Sequence, residues 1–370
     1  MLSLFYALPI YMQIIEIFIL MSFLGLGLRL KALSNLSVSL FSVAVYILFW
    51  WILGSRLPSA DEQYFFDAGT AIVDSFGNSK ILNINLFSLF GWHFLYPLIN
   101  FGFGWLGFPE AILFFNLACT LLTAKILSVI YRETFPKSVF GIDILTVLFY
   151  ISFLLSGWPV ATNFKGALAN FLIVGLIYYF MQASKAVTAS RLIAIAFFVT
   201  CLIFTRFYSA FVLVFCFALC HFLSNRRIMN PLAVCAMFFG SAYFFVMSGL
   251  AEFLIGKINV SFESFYNLVN FLITPLPWNI VSDYKFVLLG VWQYWLAIPF
   301  FMLGLVRALL SKKINLTAIA MIVLVSIVSF SIIPGYDGVR HRHGFFSLIV
   351  FMQIAGFELL GISIRRRFYG

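Results

Sequence analysis

Residues 192–223 read LIAIAFFVTCLIFTRFYSAFVLVFCFALCHFL, an apolar run interrupted by one arginine, Arg206. A helix that crosses a hydrocarbon core of about 30 Å needs roughly 20 residues, so this run is barely long enough to cross a membrane twice. The sequence therefore predicts two spans, Leu192–Thr205 and Phe207–Leu223, with Arg206 at a tight outer turn or below the membrane surface. An arginine at bilayer depth costs roughly 2.5–3.5 kcal/mol at the helix centre and usually faces a cavity or an anion.

The rest of the chain has the same apolar character. Hydrophobic residues make up 63% of the sequence, charged residues 10%, and the mean hydropathy is +1.06, which excludes a soluble globular protein. Apolar runs of about 17 to 25 residues recur and predict an all-α, polytopic transmembrane helical bundle that occupies 1–370 as a single domain. About eleven spans are expected, namely Leu2–Leu28, Leu36–Gly54, Ala111–Ile130, Val139–Ser156, Ala167–Met181, Leu192–Thr205, Phe207–Leu223, Pro231–Gly249, Phe286–Leu309, Leu316–Ile333 and Phe345–Ile362.

Basic residues predict the orientation of these spans, because short cytoplasmic loops carry an excess of Lys and Arg. They recur in alternate connections, which places the N-terminus outside and the C-terminus in the cytoplasm of a bacterial inner membrane. Two outer loops remain, 55–109 and 250–285, and we expect Leu86–Phe108 to lie in the outer interface or re-enter it. The inner set is Arg29, Lys31, Arg132, Lys137, Lys185, Arg191, Arg226, Arg227, Arg307, Lys312, Lys313, Arg365, Arg366 and Arg367.

The net charge of +10 therefore reflects basic loops on one side of a membrane, and not a nucleic-acid-binding surface. The five cysteines all lie inside apolar runs, where buried thiols act as packing groups, so neither a disulfide framework nor a cysteine-based zinc site is expected.

The first outer loop carries an acidic segment, RLPSADEQYFFD at residues 56–67. Asp61 and Glu62 follow a helix-breaking proline, at the mouth of the predicted bundle. Carboxylates there can act as a general base or bind a cation; the alternative is an exposed acidic loop. Tyr64 lies close enough in sequence to join the same site, and Asp67 follows about one helical turn beyond it.

Four basic residues oppose the charge rule, because they lie at predicted outer helix ends. Converging Lys and Arg donors of this kind bind phosphate or pyrophosphate; the alternative is that they anchor helices at the membrane surface. His341 and His343 add donors to the last outer loop, where we expect them to contact phosphate or face water. A second interpretation is a metal site that they share with Asp61. The basic residues are Lys165, Arg206, Arg340 and Arg342.

Two further residues stand out. Trp278 lies in a Pro-Leu-Pro-Trp segment of the second outer loop, where its indole either stacks on a sugar ring or anchors the loop in the interface. Glu358 lies in the last predicted span, and we expect it near the inner interface.

Several of these motifs together resemble bacterial integral-membrane glycosyltransferases of the GT-C type. This group includes Wzy-type O-antigen polymerases and EpsG-like exopolysaccharide proteins, and the 48 phenylalanines are similar to Wzy composition. The motifs are the acidic Ser-Ala-Asp-Glu-Gln-Tyr segment at 59–64, Leu-Tyr-Pro-Leu at 95–98, Thr-Arg at 205–206, Pro-Leu-Pro-Trp at 275–278 and Arg-His-Arg at 340–342.

The resemblance implies a GT-C-like fold and a polyprenyl-(pyro)phosphate-linked glycan, such as an undecaprenyl pyrophosphate intermediate of lipopolysaccharide, as donor. Asp61, with Glu62 as alternate, would be the catalytic base, and Lys165, Arg206, Arg340 and Arg342 would hold the phosphate. Membrane lipid and other glycan-assembly proteins are the expected partners. No cofactor is expected, with a divalent metal as the alternative. The competing functions are transfer of a single sugar from a lipid-phosphate donor and a lipid-linked oligosaccharide flippase.

Overall fold

The structure is a computed structural model that describes residues 94–106, 111–136, 165–223, 262–274, 288–311, 313–332 and 344–369, together with four isolated residues, 65, 67, 276 and 278. Nearly all of these residues are helical, and none forms a β-strand. The helices are α1 (Leu95–Trp105), α2 (Ala111–Thr134), α3 (Gly166–Lys185), α4 (Ala189–Leu223), α5 (Phe262–Ile273), α6 (Leu288–Leu309), α7 (Ile314–Ile332) and α8 (Phe346–Tyr369).

The all-α class is thus confirmed for the part of the chain that the structure describes. Two of its helices are both long and apolar enough to cross a membrane, Gly166–Lys185 and Ala189–Arg206, and four shorter apolar helices accompany them. Helices also occupy the predicted spans near residues 111, 286, 316 and 345. The predicted spans Leu2–Leu28, Leu36–Gly54, Val139–Ser156 and Pro231–Gly249 lie outside the described residues.

Helix α4 is broken at Arg206, where the backbone leaves helical geometry with φ −149° and ψ 78°. Its first half packs on α3, with the rings of Phe198 and Tyr179 5.5 Å apart. A straight helix would carry Phe217 roughly 28 Å farther along, past the start of α3. Instead, Phe217 stacks 4.8 Å from Phe180, the neighbour of Tyr179. The chain therefore reverses at Arg206, and the predicted break there is confirmed.

Helices α6 and α8 run side by side in the same direction and touch through glycines. A Cβ atom at Gly304 would overlap the carbonyl oxygen of Met352, and one at Gly356 would overlap that of Phe300. Small residues at such crossings let two helix backbones approach closely, which is how helices associate in the absence of a hydrophobic driving force.

Long-range contacts align the helix ends. The starts of α3 and α8 meet where the backbone N–H of Ser347 donates to Oδ1 of Asn170 at 3.1 Å. The ends of α2 and α3 meet where Lys185 pairs with Glu133 at 2.7 Å. These contacts define two ends of the bundle, which we name the Arg206 end and the Glu358 end after the buried charged residue at each.

Candidate functional site

Arg206 is buried, with only 6% of its surface exposed, although it carries a charge in the middle of an apolar run. The preceding residue contributes to the break in α4, because the hydroxyl of Thr205 donates to the carbonyl of Cys201 at 2.8 Å. A threonine that bonds back to the carbonyl four residues earlier tends to bend a helix. The local sequence therefore places a buried guanidinium at the point where α4 reverses.

The guanidinium of Arg206 lies against the residues that lead into α8. A Cβ atom at Gly344 would overlap Nη1 of Arg206, so this side chain occupies the space beside a glycine. On another side, Cζ of Arg206 lies 5.9 Å from the ring centroid of Tyr208, a cation–π distance. The described contacts of Arg206 are thus a backbone segment at a helix start and an aromatic face.

The start of α3 lies beside the same segment. Asn170 donates from Nδ2 to the carbonyl of Gly166 at 3.0 Å and accepts from the backbone N–H of Ser347 at 3.1 Å. Lys165 is the residue that immediately precedes α3, and its side chain is partly buried. One of the predicted basic residues is therefore located about one and a half helical turns from the contact between α3 and α8.

The start of α1 reaches the same end from a third direction. Phe94, which precedes α1, packs on Phe204 with ring centroids 4.4 Å apart. Two residues farther along, Tyr96 meets Phe65 edge-on at 4.9 Å, and Phe65 is buried. Phe65 follows Asp61 by four residues, so chain length alone keeps Asp61 within roughly 15 Å of it.

Tyr96 is in turn fixed by hydrogen bonds to α2. Its hydroxyl accepts from Nδ2 of Asn116 at 2.9 Å, and both side chains are fully buried. The point where the acidic segment contacts α1 is therefore rigidly held.

Helix α5 adds aromatic residues to the Arg206 end. Phe271 stacks on Phe345, directly after Gly344, with centroids 6.3 Å apart. The hydroxyl of Tyr294 donates to the carbonyl of Leu272 at 2.7 Å and so ties α6 to α5. Beyond α5, Trp278 is 70% exposed and lies 5.5 Å from Trp295. An exposed indole supported by a second indole is an open face on which a sugar ring can stack.

These contacts bring the starts of α1, α3, the second half of α4 and α8 to one end, where the first half of α4 and α5 also terminate. The start of a helix carries a partial positive charge of about half a unit from its macrodipole, and its end carries the opposite charge. Arg206 lies directly against the segment that leads into α8. A buried guanidinium beside a helix start is an environment that favours an anion, and phosphate in particular.

The structure therefore describes three of the predicted site residues, Arg206, Lys165 and Trp278. It brings Arg206 and Lys165 to the same end and leaves Trp278 exposed beside Trp295 of α6. Arg340, His341, Arg342 and His343 directly precede Gly344 in the chain. The predicted residues outside the described part are Asp61, Glu62, Tyr64, Arg340, His341, Arg342 and His343.

Two residues of the Arg206 end escaped the sequence analysis, Gly344 and Asn170. Neither carries a charge, and Gly344 is one of 24 glycines in the chain. The only feature of the sequence that could have indicated Gly344 is its position directly after the Arg-His-Arg-His run at 340–343.

The Glu358 end holds a second buried charge. Glu358 is 1% exposed, and its Oε2 accepts a hydrogen bond from the hydroxyl of Tyr131. Nη1 of Arg307 lies 3.7 Å from the same oxygen and donates to the carbonyl of Ala355 at 2.8 Å. Glu358 was expected near the inner interface of the membrane, and its side chain is enclosed between α2, α6 and α8.

Phe135 lies between two cations at this end. Cζ of Arg307 is 4.3 Å from its ring centroid, and Nζ of Lys313 is 5.6 Å from it. Lys313 also donates a short hydrogen bond to the carbonyl of Thr134. The turn between α6 and α7 is thereby fixed to the end of α2. These contacts hold the helices together.

Within the described part of the chain, no group of three or more His, Cys, Asp or Glu side chains lies close enough together to hold a metal ion. Comparison of the chain with protein-family models, with curated proteins and with solved structures found no match.

Proposed function

We propose that this chain is an integral-membrane glycosyltransferase that acts on polyprenyl-(pyro)phosphate-linked glycans at the outer face of a bacterial inner membrane, as a Wzy-like polymerase of O-antigen or polysaccharide repeat units. The observation that carries the proposal is Arg206, a cation buried to 6% exposure among helix starts. An arginine buried in a membrane helix usually faces a cavity or an anion, and the donor named here carries its charge as phosphate.

A membrane location is supported by the outward faces of the helices. The first half of α4 and the length of α6 each present a stripe of exposed apolar side chains, where a soluble protein places polar ones. These stripes suit contact with lipid tails. They consist of Leu192, Ile193 and Phe197 on α4 and of Leu296, Met302, Leu303, Val306 and Leu309 on α6.

The full proposal is a GT-C-like bundle of about eleven spans with its N-terminus outside and its C-terminus in the cytoplasm. The distribution of described cations supports this orientation. Lys185, Arg307 and Lys313, which the charge rule assigns to the cytoplasm, lie at the Glu358 end, whereas Lys165 and Arg206 lie at the opposite end. The Arg206 end would then face outward, where lipid-linked donors accumulate.

In the proposed reaction, a hydroxyl of the acceptor sugar attacks the anomeric carbon of the donor. A new glycosidic C–O bond forms as the C–O bond to phosphate breaks, and the polyprenyl (pyro)phosphate departs with the bonding electron pair. Asp61, or Glu62 in its place, takes the hydroxyl proton. Arg206 stabilises the charge that develops on the departing phosphate, and Lys165, Arg340 and Arg342 assist it.

The remaining predicted residues complete this site. His341 and His343 would donate to the phosphate, and Tyr64 would line the pocket beside the base. Trp278 would stack on a sugar ring, supported by Trp295 at 5.5 Å. A metal ion is not required by this scheme, because Lys165, Arg206, Arg340 and Arg342 already supply four positive charges.

One observation favours a second candidate, a flippase for lipid-linked oligosaccharides. Transporters often bind anionic substrates at broken helices, where the start of a half-helix points at the substrate. The break of α4 at Arg206 has this form. The two candidates share the anion site and differ in whether a glycosidic bond is formed.

The glycan profile of a strain that lacks this gene separates the candidates. Loss of a polymerase leaves single-repeat glycans at the cell surface, loss of a flippase leaves none there, and loss of a single-sugar transferase leaves chains that lack one residue. The proposal predicts that the deletion strain carries single-repeat glycans. The wild-type gene should restore long chains, and a gene that encodes Arg206→Ala should not. Absent surface glycan, or an unchanged profile, would contradict it.

A further inference from the structure

Among the described glycines, Gly344 is the one that lies against the buried guanidinium of Arg206. A Cβ atom at Gly344 would overlap both Nη1 and Cζ of Arg206 and would come within 3.1 Å of its Cδ. Any residue other than glycine at 344 therefore displaces the guanidinium or the segment that contacts it.

The segment that follows Gly344 has little freedom to yield. The side chains of Phe345, Phe346 and Ser347 are each at most 3% exposed. The first turn of α8 is held from one side by the hydrogen bond from the N–H of Ser347 to Asn170, at 3.1 Å, and from another by the stacking of Phe345 on Phe271. Because the backbone is fixed by these contacts, the guanidinium is the part that would move.

Backbone conformation does not by itself require glycine here. The φ angle of Gly344 lies outside the left-handed region that L residues avoid. The position therefore needs glycine for the space that it leaves, and an alanine would test that space without straining the backbone.

The start of α8 attracts anions by itself, because it carries the positive end of a helix dipole. The space at Gly344 allows the guanidinium of Arg206 to lie against this start. An anion that contacts both groups would be attracted by each of them.

We propose that Gly344 is a positioning residue, which holds the guanidinium of Arg206 beside the start of α8 so that one phosphate group of the donor contacts both. This inference rests on the proposed function, because it assumes a phosphate-bearing donor. Gly344 itself contacts no substrate in this scheme and acts through Arg206. Asn170 contributes by fixing the first turn of α8.

A double-mutant cycle on the purified full-length protein in nanodiscs tests this proposal, with undecaprenyl phosphate as the probe and its dissociation constant as the readout. Gly344→Ala should weaken binding about tenfold, the equivalent of one hydrogen bond to a charged group. Arg206→Ala should weaken it at least as much. Because Gly344 acts through Arg206, the double variant should bind as weakly as Arg206→Ala alone and no more.

Gly102→Ala is the matched control, because a Cβ atom at Gly102 would meet nothing within 4 Å. It should bind the probe as the wild type does. The melting temperature of Gly344→Ala tests for the same overlap. If it is lowered, adding Arg206→Ala, which removes the overlapping side chain, should restore the melting temperature. A general packing defect of α8 would not be restored in this way.

Three outcomes overturn the inference. If Gly344→Ala binds undecaprenyl phosphate as tightly as the wild type does, the guanidinium of Arg206 does not need the space beside Gly344. Additive losses in the double variant would show that Gly344 acts independently of Arg206. If the wild-type protein does not bind the probe, the proposed function and the positioning role both fail, whereas either of the first two results leaves the proposed function standing.

Discussion

At the Glu358 end, Arg307, Lys185 and Lys313 each contact an acceptor on another helix, whereas at the Arg206 end the described cations lie beside helix starts and aromatic rings. Arg307 pairs with Glu358, Lys185 with Glu133, and Lys313 with the carbonyl of Thr134. Arg206 contacts the Gly344 segment and the ring of Tyr208. The first end joins helices to one another, and the second collects positive charge.

The difference suggests separate roles for the two ends. Charges matched across helices fix their packing, and they gain nothing from a ligand. A guanidinium beside a helix start can bind an added anion jointly with the N–H groups of that start. The comparison therefore predicts that variants at the Arg206 end change binding and turnover, while variants at the Glu358 end change stability.

The largest effect is expected from the proposed base. Asp61→Asn keeps the size of the side chain but removes the basic oxygen, so transfer should fall by about 10²- to 10⁴-fold with donor binding largely kept. Turnover of purified protein on a lipid-linked donor would measure this, and activity should survive exhaustive chelation.

Two results would alter this assignment. Normal turnover in Asp61→Asn would exclude Asp61 as the base and make Glu62 the next residue to test. Loss of turnover on chelation, restored by Mg²⁺ or Mn²⁺, would show that a metal ion belongs to the Arg206 end.

An intermediate effect, on stability alone, is expected at the other end. Glu358→Ala removes the acceptor of Tyr131 and the carboxylate beside Arg307, and it should cost about 3–5 kcal/mol of stability, because a buried charge loses its partner. Glu133→Ala is the control, since its bridge to Lys185 is exposed and should be worth at most about 1 kcal/mol. Thermal unfolding in nanodiscs would compare the two variants. If Glu358→Ala lost transfer activity without losing stability, the separate roles proposed for the two ends would be wrong.

The smallest effect is expected from the exposed indole. Trp278→Ala should raise KM for the acceptor about fivefold, the equivalent of about 1 kcal/mol of aromatic stacking, and Trp278→Phe should recover part of it. Trp105 is equally exposed, at 70%, and Trp105→Ala should leave KM unchanged. Equal effects of the two alanine variants would show that Trp278 only anchors the chain at the membrane surface.

Six of the eight described helices could be predicted from the sequence, since each follows from a local apolar run. They are α2, α3, α4, α6, α7 and α8. The break of α4 could also be predicted, because one arginine divides a run that is too long for one span and short for two. Helix α5 was not predicted, because its 12 residues fall in a segment that prolines and charged residues identified only as a loop.

The contacts between the helices could not be predicted in the same way. Ser347 and Asn170 are separated by 177 residues, and Tyr131 and Glu358 by 227. No periodic pattern connects residues so far apart, and each of them is individually common in apolar helices. Such pairs are determined by how complete helices pack, so the enclosure of Glu358 beside Tyr131 and Arg307 could not be predicted.

The most direct test of the two-ended account compares Arg206→Ala with Arg307→Ala in one transfer assay, at matched amounts of folded, membrane-inserted protein. Arg206→Ala should lose transfer by at least about 100-fold, as expected when a donor that stabilises developing charge is removed, and Arg206→Lys should recover little because the forked guanidinium is lost. Arg307→Ala should unfold at a lower temperature and retain turnover per folded molecule. Full activity in Arg206→Ala would show that Arg206 only anchors its helix and would contradict the account.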